Sequence, residues 1–187
     1  MAPVATTKAT LDDLAREDGK AELVRGWIVR VVPSGDYPSS IAGEIFVSLR
    51  AYAKRIGRGK AYADRVGFTV PELPSGRESF SPDASYFDGV RPIDRMRFIP
   101  AAPKFAAEVR SENDYGPAAE VEMAAKRADY FAAGTLTVWD VDPEAQTIAV
   151  FRAAAPTQPT IFRSGDQADA EPAVPGWRIA VDDIFAD

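Results

Sequence analysis

The chain of 187 residues contains no cysteine and no histidine. Without cysteine there are no disulfides, no thiolate metal sites and no cysteine nucleophile. Without histidine the commonest general base is gone, and with it any Ser-His-Asp arrangement. Chemistry here has to run on Asp, Glu, Lys, Arg, Tyr, Ser or Thr, and oxygen donors of that kind suit a hard cation such as magnesium. Long apolar runs are also missing. Nothing approaches the roughly 20 residues that span a bilayer, and the opening MAPVATTKATLDDLARED holds no apolar core of a secretory signal. The expectation is a cytoplasmic protein without membrane contact. Basic residues number 22 against 28 acidic, a net charge of −6. That balance argues against a surface coated for polyanions, although a local basic groove fits within it.

What is present is the composition of one ordinary globular domain, 46% hydrophobic and 27% charged. No internal repeat and no second composition regime divides residues 1–187, so a single domain is expected, its core running from Leu11 to Phe185. Thr10 to Glu17 (TLDDLARE) predicts a short helix capped by Thr10. AELVRGWIVRVVP predicts a hairpin about an Arg25-Gly26 turn, with Glu22 at its opening. Ile41, Ile45, Leu49, Tyr52 and Ile56 fall on one helical face and predict a helix that stops at Gly57. Strands are expected at Tyr62–Val70, Ala84–Phe87 and Lys104–Val109. Between the last two, GVRPIDRMRFIPAAP is a long connection whose Arg91, Arg95 and Arg97 are expected to fringe a groove. Pro117 to Ala133 predicts the second main helix, with Val121, Ala124, Ala125, Ala128 and Phe131 on its buried side. LTVWDVD and TIAVFR then predict a hairpin, followed by a strand at Thr160–Arg163 and the closing PGWRIAVDDIF. Helices before and after a central mixed sheet make this an α/β domain.

Two of the expected strands each deliver one carboxylate: Asp83 in SPDASYF and Glu108 in PKFAAEVRS. A carboxylate on a buried strand is costly unless a cation, a metal or hydrogen-bond donors pair with it. Two of them in one small domain point to a shared divalent-metal site, with Glu22 as a possible third acid. Two cations compete to complete it. Arg110 stands two residues after Glu108 and shares its face of the strand; Lys126 lies in the following helix. A desolvated lysine can exchange a proton and an arginine cannot, so Lys126 is the better catalytic cation and Arg110 the better phosphate clamp. The plainer alternatives are a same-face Glu108–Arg110 ion pair and a helical Glu122–Lys126 pair.

AELVRGWIVRV, SPDASYF, PKFAAEVRSEND, KRADYFAAG, TVWDVDPEAQTIAVFR and PGWRIAVDDIF follow one another here in the order they take in the Uma-two family. The chain resembles that family, bacterial proteins described as restriction endonucleases, over nearly its whole length. The resemblance implies a PD-(D/E)XK restriction-endonuclease-like core: a central mixed β-sheet flanked by helices, with an N-terminal β-hairpin and a C-terminal β extension. It makes Glu22 the acid of the early E-L-V-x-G motif, Asp83 the PD aspartate, Glu108 the second acid, and Lys126 the lysine that the family carries in the next helix. It implies hydrolysis of DNA phosphodiester bonds with magnesium or manganese on Asp83 and Glu108. Glu22 would be a supporting acid and Lys126 would orient or activate the attacking water; a homodimer is the assembly it points to. Two positions depart from the family pattern. Pro38 stands at about the place where members commonly carry a histidine, and Glu112 adds a negative charge after the second acid. The rival expectations are a nuclease fold that has lost catalysis and serves binding or regulation, and a hydrolase of small phosphate esters.

Overall fold

A computed structural model describes residues 8–186. The chain opens with α1 (Leu11–Leu14), where Thr10 and Asp13 cap each other reciprocally. This helix is shorter than TLDDLARE predicts, because only Leu14 is buried and one anchor holds little more than one turn. β1 (Ala21–Val24) and β2 (Trp27–Arg30) form the expected hairpin. Arg25 (φ 55°) and Gly26 (φ 75°) supply the two left-handed positions of a tight hairpin turn. α2 (Asp36–Ile56) buries Ile41, Ile45, Leu49 and Ala53, each large aliphatic contributing about 1.5–3 kcal/mol. It ends at Gly57 in the left-handed conformation. The helix begins at Asp36, ahead of the apolar repeat that signalled it, and Pro38 is tolerated because first-turn N–H groups need no helical partner.

The strand expected over Tyr62–Val70 is two: β3 (Lys60–Ala63) and β4 (Phe68–Thr69). A turn at Asp64-Arg65 breaks it, with Arg65 at φ 73° and its N–H donating to Asp64 Oδ1 at 2.8 Å. β4 pairs with β5 (Ser79–Phe80) outside the main sheet. Then follow β6 (Ala84–Phe87), β7 (Phe105–Val109), α3 (Pro117–Ala132), β8 (Thr137–Asp142), β9 (Thr147–Arg152) and β10 (Ala155–Phe162). β10 starts earlier than Thr160, through an irregular register against β9. The closing segments are β11 (Gln167–Asp169), β12 (Arg178–Ala180) and α4 (Val181–Phe185). PGWRIAVDDIF thus holds a three-residue strand and a five-residue helix.

The main sheet has six strands in the order β10-β9-β8-β7-β6-β3, mixed in direction: β7 and β8 are parallel and joined through α3, while the other pairs are antiparallel. Alternation along β7 assigns its two faces. Phe105, Ala107 and Val109 pack with α2 and the C-terminal extension, whereas Ala106 belongs to the smaller core with Tyr130 of α3. Glu108 and Arg110 share the second face. Here one expectation fails: Val121 is 69% exposed, and Ala124, Ala125 and Ala128 face solvent as well. The inward side of α3 carries Met123, Lys126, Arg127 and Tyr130 instead. A hydrophobic count chose the wrong face because the inward face of this helix is occupied by a charged site.

Candidate active site

β6 and β7 pair with Ala84 opposite Ala107. Asp83 comes just before this pairing and Glu108 just after it, at the same end of the two strands. Asp83 N–H donates to Ala107 O at 3.1 Å, and Asp83 Oδ2 accepts the Val109 N–H at 2.8 Å. The carboxylate is thereby fixed by its neighbouring strand rather than by its own rotamer preference. Side-chain exposure of 14% for Asp83 and 25% for Glu108 leaves both accessible to a small ion.

Glu108 is held from α3. Lys126 Nζ lies 2.9 Å from Oε2 and the Tyr130 hydroxyl donates to Oε1 at 2.5 Å. Residues four apart sit one above the other on a helix, so one face of α3 grips both oxygens. Tyr130 is in turn stacked on Phe80, ring centroids 4.2 Å apart. The helical Glu122–Lys126 pair does not form; Lys126 reaches Glu108 and, at 3.1 Å, Glu22 Oε1.

Glu22, on β1, is buried and fully engaged. Oε1 also accepts the Ser81 N–H at 2.9 Å, and Oε2 accepts from Arg77. Arg77 Nε donates to Asp129 at 2.9 Å, so one guanidinium ties the hairpin to α3. On the other side of the site Lys20 Nζ stands 2.5 Å from Asp83 Oδ1 and 2.8 Å from Asp64 Oδ1.

These contacts make two neighbouring groups, Lys20 with Asp64 and Asp83, and Arg77 and Lys126 with Glu22, Glu108 and Asp129, five carboxylates and three cations in all. Five negative charges against three positive leave two uncompensated. Burial would push the Glu22 carboxyl up, but Lys126 and Arg77 outweigh it and bring it down to about 2. For Glu108 burial prevails, with Asp83 adding to it, and the carboxyl is raised despite Lys126. Burial also opposes the charge on Lys126 and Lys20, yet the surrounding carboxylates win and raise both ammonium groups. Lys126 therefore acts as a donor and a positive charge in this arrangement, not as a proton acceptor. Burial and the Glu108 carboxylate keep the Tyr130 phenol protonated, well above its usual range.

Asp83 and Glu108 are hard oxygen donors, and magnesium is commonly held by one or two carboxylates with water completing its shell. The donor chemistry of the two suits such an ion. Among the described residues no third His, Cys, Asp or Glu joins them into a larger ligand cluster. Glu22, turned into Arg77 and Lys126, braces the site from behind. A hollow of about 170 Å³ opens on Asp83, bordered by Pro38, Ser39, Ala42 and Asp64. A second, of about 290 Å³, opens on the far side of Lys20, bordered by Arg65, Ser81 and Phe98.

Arg110 shares the strand face of Glu108 as expected but forms no pair with it. Its Nε and Nη2 donate to Asp140 at 2.7 and 3.0 Å, and Nη1 to Glu120 at 2.5 Å. Asp140 also accepts from Arg127 at 2.9 Å, so it holds two arginines against the sheet. The expectation of Arg110 as a phosphate clamp gives way to this geometry, because its donors are already spent on carboxylates. Arg91 borders a hollow with Phe87, Lys104 and Gly134, at the opposite end of β6 and β7 from Asp83, and Arg97 borders one with Leu11 and Asp12. The fringe of arginines expected around the acids is not assembled there.

Lys20, Arg77 and Tyr130 are the site residues that sequence reasoning missed. Lys20 carried a usable signal: it stands two residues before Glu22, and strand alternation puts both on one side. Tyr130 carried another, at helical spacing from Lys126. Arg77 had none, since it comes from a loop that only the tertiary fold brings beneath Glu22.

A mixed sheet with its acids on the β6–β7 edge and a lysine-bearing α3 over it defines an α/β domain of the restriction-endonuclease-like kind. The chain belongs to the Uma2 family, described as putative restriction endonuclease, whose profile matches residues 9–182. Among solved structures it is similar to that of a putative nuclease belonging to DUF820 from Anabaena variabilis. The two share 22% sequence identity at a TM-score of 0.72, over 94% of this chain and 97% of that one. No curated protein matches the chain.

Proposed function

We propose that the chain is a divalent-metal-dependent endonuclease, cytoplasmic, that hydrolyses DNA phosphodiester bonds at the Asp83–Glu108 edge. The observation that carries this reading is the β6–β7 pairing that brings both acids to one end of the two strands, Asp83 beside Lys20 and Glu108 beside Lys126. Asp83 and Glu108 would hold magnesium or manganese, which supplies positive charge for the phosphoryl oxygens and a more acidic bound water. Lys126 orients the attacking water or supports charge on the phosphate, and Tyr130 fixes Glu108. Glu22 keeps Lys126 pointed into the site, and Arg110 is left out of the substrate contacts. Water adds to phosphorus and the bond to the leaving alcohol breaks. Cutting both strands of a duplex from one site per chain calls for two chains, so a homodimer on DNA belongs to the proposal; sedimentation with and without a duplex reads it.

The deciding experiment is manganese and magnesium binding by calorimetry, first alone and then with a short DNA duplex, on the wild type, Asp83→Ala and Glu108→Ala. Binding by the wild type alone, followed by duplex cleavage that Lys126→Ala abolishes, is the expected result. Silence with and without DNA would sink the mechanism. A second reading, a nuclease fold that binds without cutting, is favoured by one contact: Lys20 already sits on Asp83 Oδ1. Duplex binding without metal and without cleavage would select it.

A further inference from the structure

Lys20 is the one cation at the acid pair that no motif accounts for, and its two partners are unlike. Its side chain is 12% exposed. Asp83 lies inside the site at 14% exposure, while Asp64 sits on the rim at 48%. The inner contact, at 2.5 Å, uses Asp83 Oδ1, the one oxygen of that carboxylate not taken by the Val109 N–H. Oδ1 is therefore the oxygen that a cation could take, at the direct ligand distance of about 2.0–2.1 Å for magnesium, without disturbing the Val109 contact. An ammonium and a divalent ion compete for that oxygen, because like charges at such separation repel in a partly buried site. The lysine, however, has somewhere to go. Its four-carbon stem is flexible and its head carries three donors, so giving up Asp83 leaves the bond to Asp64 intact.

We propose that Lys20 is the resident counter-ion of the Asp83 site and is exchanged for the divalent cation, with Asp64 as the carboxylate that holds the released ammonium at the rim. The inference rests on the reading of Asp83 and Glu108 as metal ligands. In the metal-free chain Lys20 neutralises Asp83 and joins β1, the Asp64 turn and β6. On loading, the contact to Asp83 is lost and the charge stays on Asp64, which borders the hollow that opens on Asp83. Metal affinity is therefore set below that of the bare acid pair, and Asp64 sets by how much.

Manganese binding to the metal-free full-length chain tests this by calorimetry, with Lys20→Met, Asp64→Asn and the double variant beside the wild type, each checked for folding by circular dichroism. Lys20→Met is expected to bind manganese roughly tenfold more tightly. Asp64→Asn is expected to bind severalfold more weakly in the wild-type background, because the displaced lysine has lost its refuge, and to have no effect once Lys20 is Met. Should the Met variant fail to fold, Lys20→Gln takes its place in the same cycle. Unchanged or weaker binding after neutralising Lys20 overturns the proposal. So does an Asp64→Asn loss that persists without the lysine, since that is only the field of a missing acid. If Asp83→Asn abolishes binding while Lys20→Met leaves it unaltered, the exchange fails and the metal site stands. If Asp83→Asn leaves binding intact, the metal-site reading fails; no binding in any variant removes both.

Discussion

Lys126 Nζ stands 2.9 Å from Glu108 Oε2, from the one turn of α3 that also places the Tyr130 hydroxyl on Oε1. The same ammonium reaches Glu22 at 3.1 Å, so a single helical cation serves the partly buried acid of the site and the fully buried one behind it. Removing it should be felt in the fold as well as in the chemistry. Lys126→Met leaves two carboxylates facing each other across the gap, and breaking a buried pair costs about 3–5 kcal/mol. With the lysine side chain 22% exposed, water enters and a loss of about 2 kcal/mol is expected, read from urea unfolding at neutral pH.

Glu108→Gln should move stability the other way. Burial and Asp83 hold this carboxyl above its ordinary value, so its charged form costs the folded state at neutral pH. The amide keeps the shape, accepts from Tyr130 and removes that cost. A higher melting temperature with manganese binding lost is the expected outcome, the pattern of a site that gives up stability for function. A lower melting temperature would count against the balance drawn here.

Glu22 sets the acid limb of the stability profile. Its folded value of about 2 lies below the ordinary 4.5, so the unfolded chain takes up the proton first as pH falls. The stabilisation is complete above pH 4.5 and is lost as the pH approaches 2. The stability difference between wild type and Glu22→Gln should therefore be large at pH 6 and shrink steadily below 4.5, measured as urea midpoints across that range.

Asp140→Asn tests the place given to Arg110. Asp140 is buried and binds both Arg110 and Arg127, so neutralising it leaves two guanidinium groups short of a partner. A destabilisation of about 3 kcal/mol is expected, while manganese affinity stays at the wild-type value. Arg110→Ala should likewise weaken the fold without changing the salt dependence of duplex binding. A phosphate contact would instead reduce that slope by about one.

Val121 provides the control for the outward face of α3. It is 69% exposed, and Val121→Ser is expected to change unfolding free energy by no more than about 0.5 kcal/mol. A core position there would lose several times as much.

The hydrophobic pattern made the scaffold legible. The Ile41–Ile45–Leu49 repeat announced α2, because local periodicity follows directly from whether a face is buried, and Ala84–Phe87 appeared as the short strand it is, buried on both faces. The acids Asp83 and Glu108 were legible as well, since a carboxylate inside an apolar run is chemically conspicuous. The inward face of α3 was not, because Lys126 and Arg127 turn inward to meet carboxylates, where a hydrophobic count expects no charged residue. Nor was the break at Asp64-Arg65, a turn stabilised by one side-chain contact within a run of strand-like residues. By itself, then, the sequence determined the order of elements, the strands that carry the two acids, and the absence of any histidine or thiolate route. Only the tertiary structure decided which cation meets which acid. Lys20, Arg77 and Lys126 come from three separate segments, and ion pairing depends on distances across the fold that no local pattern encodes.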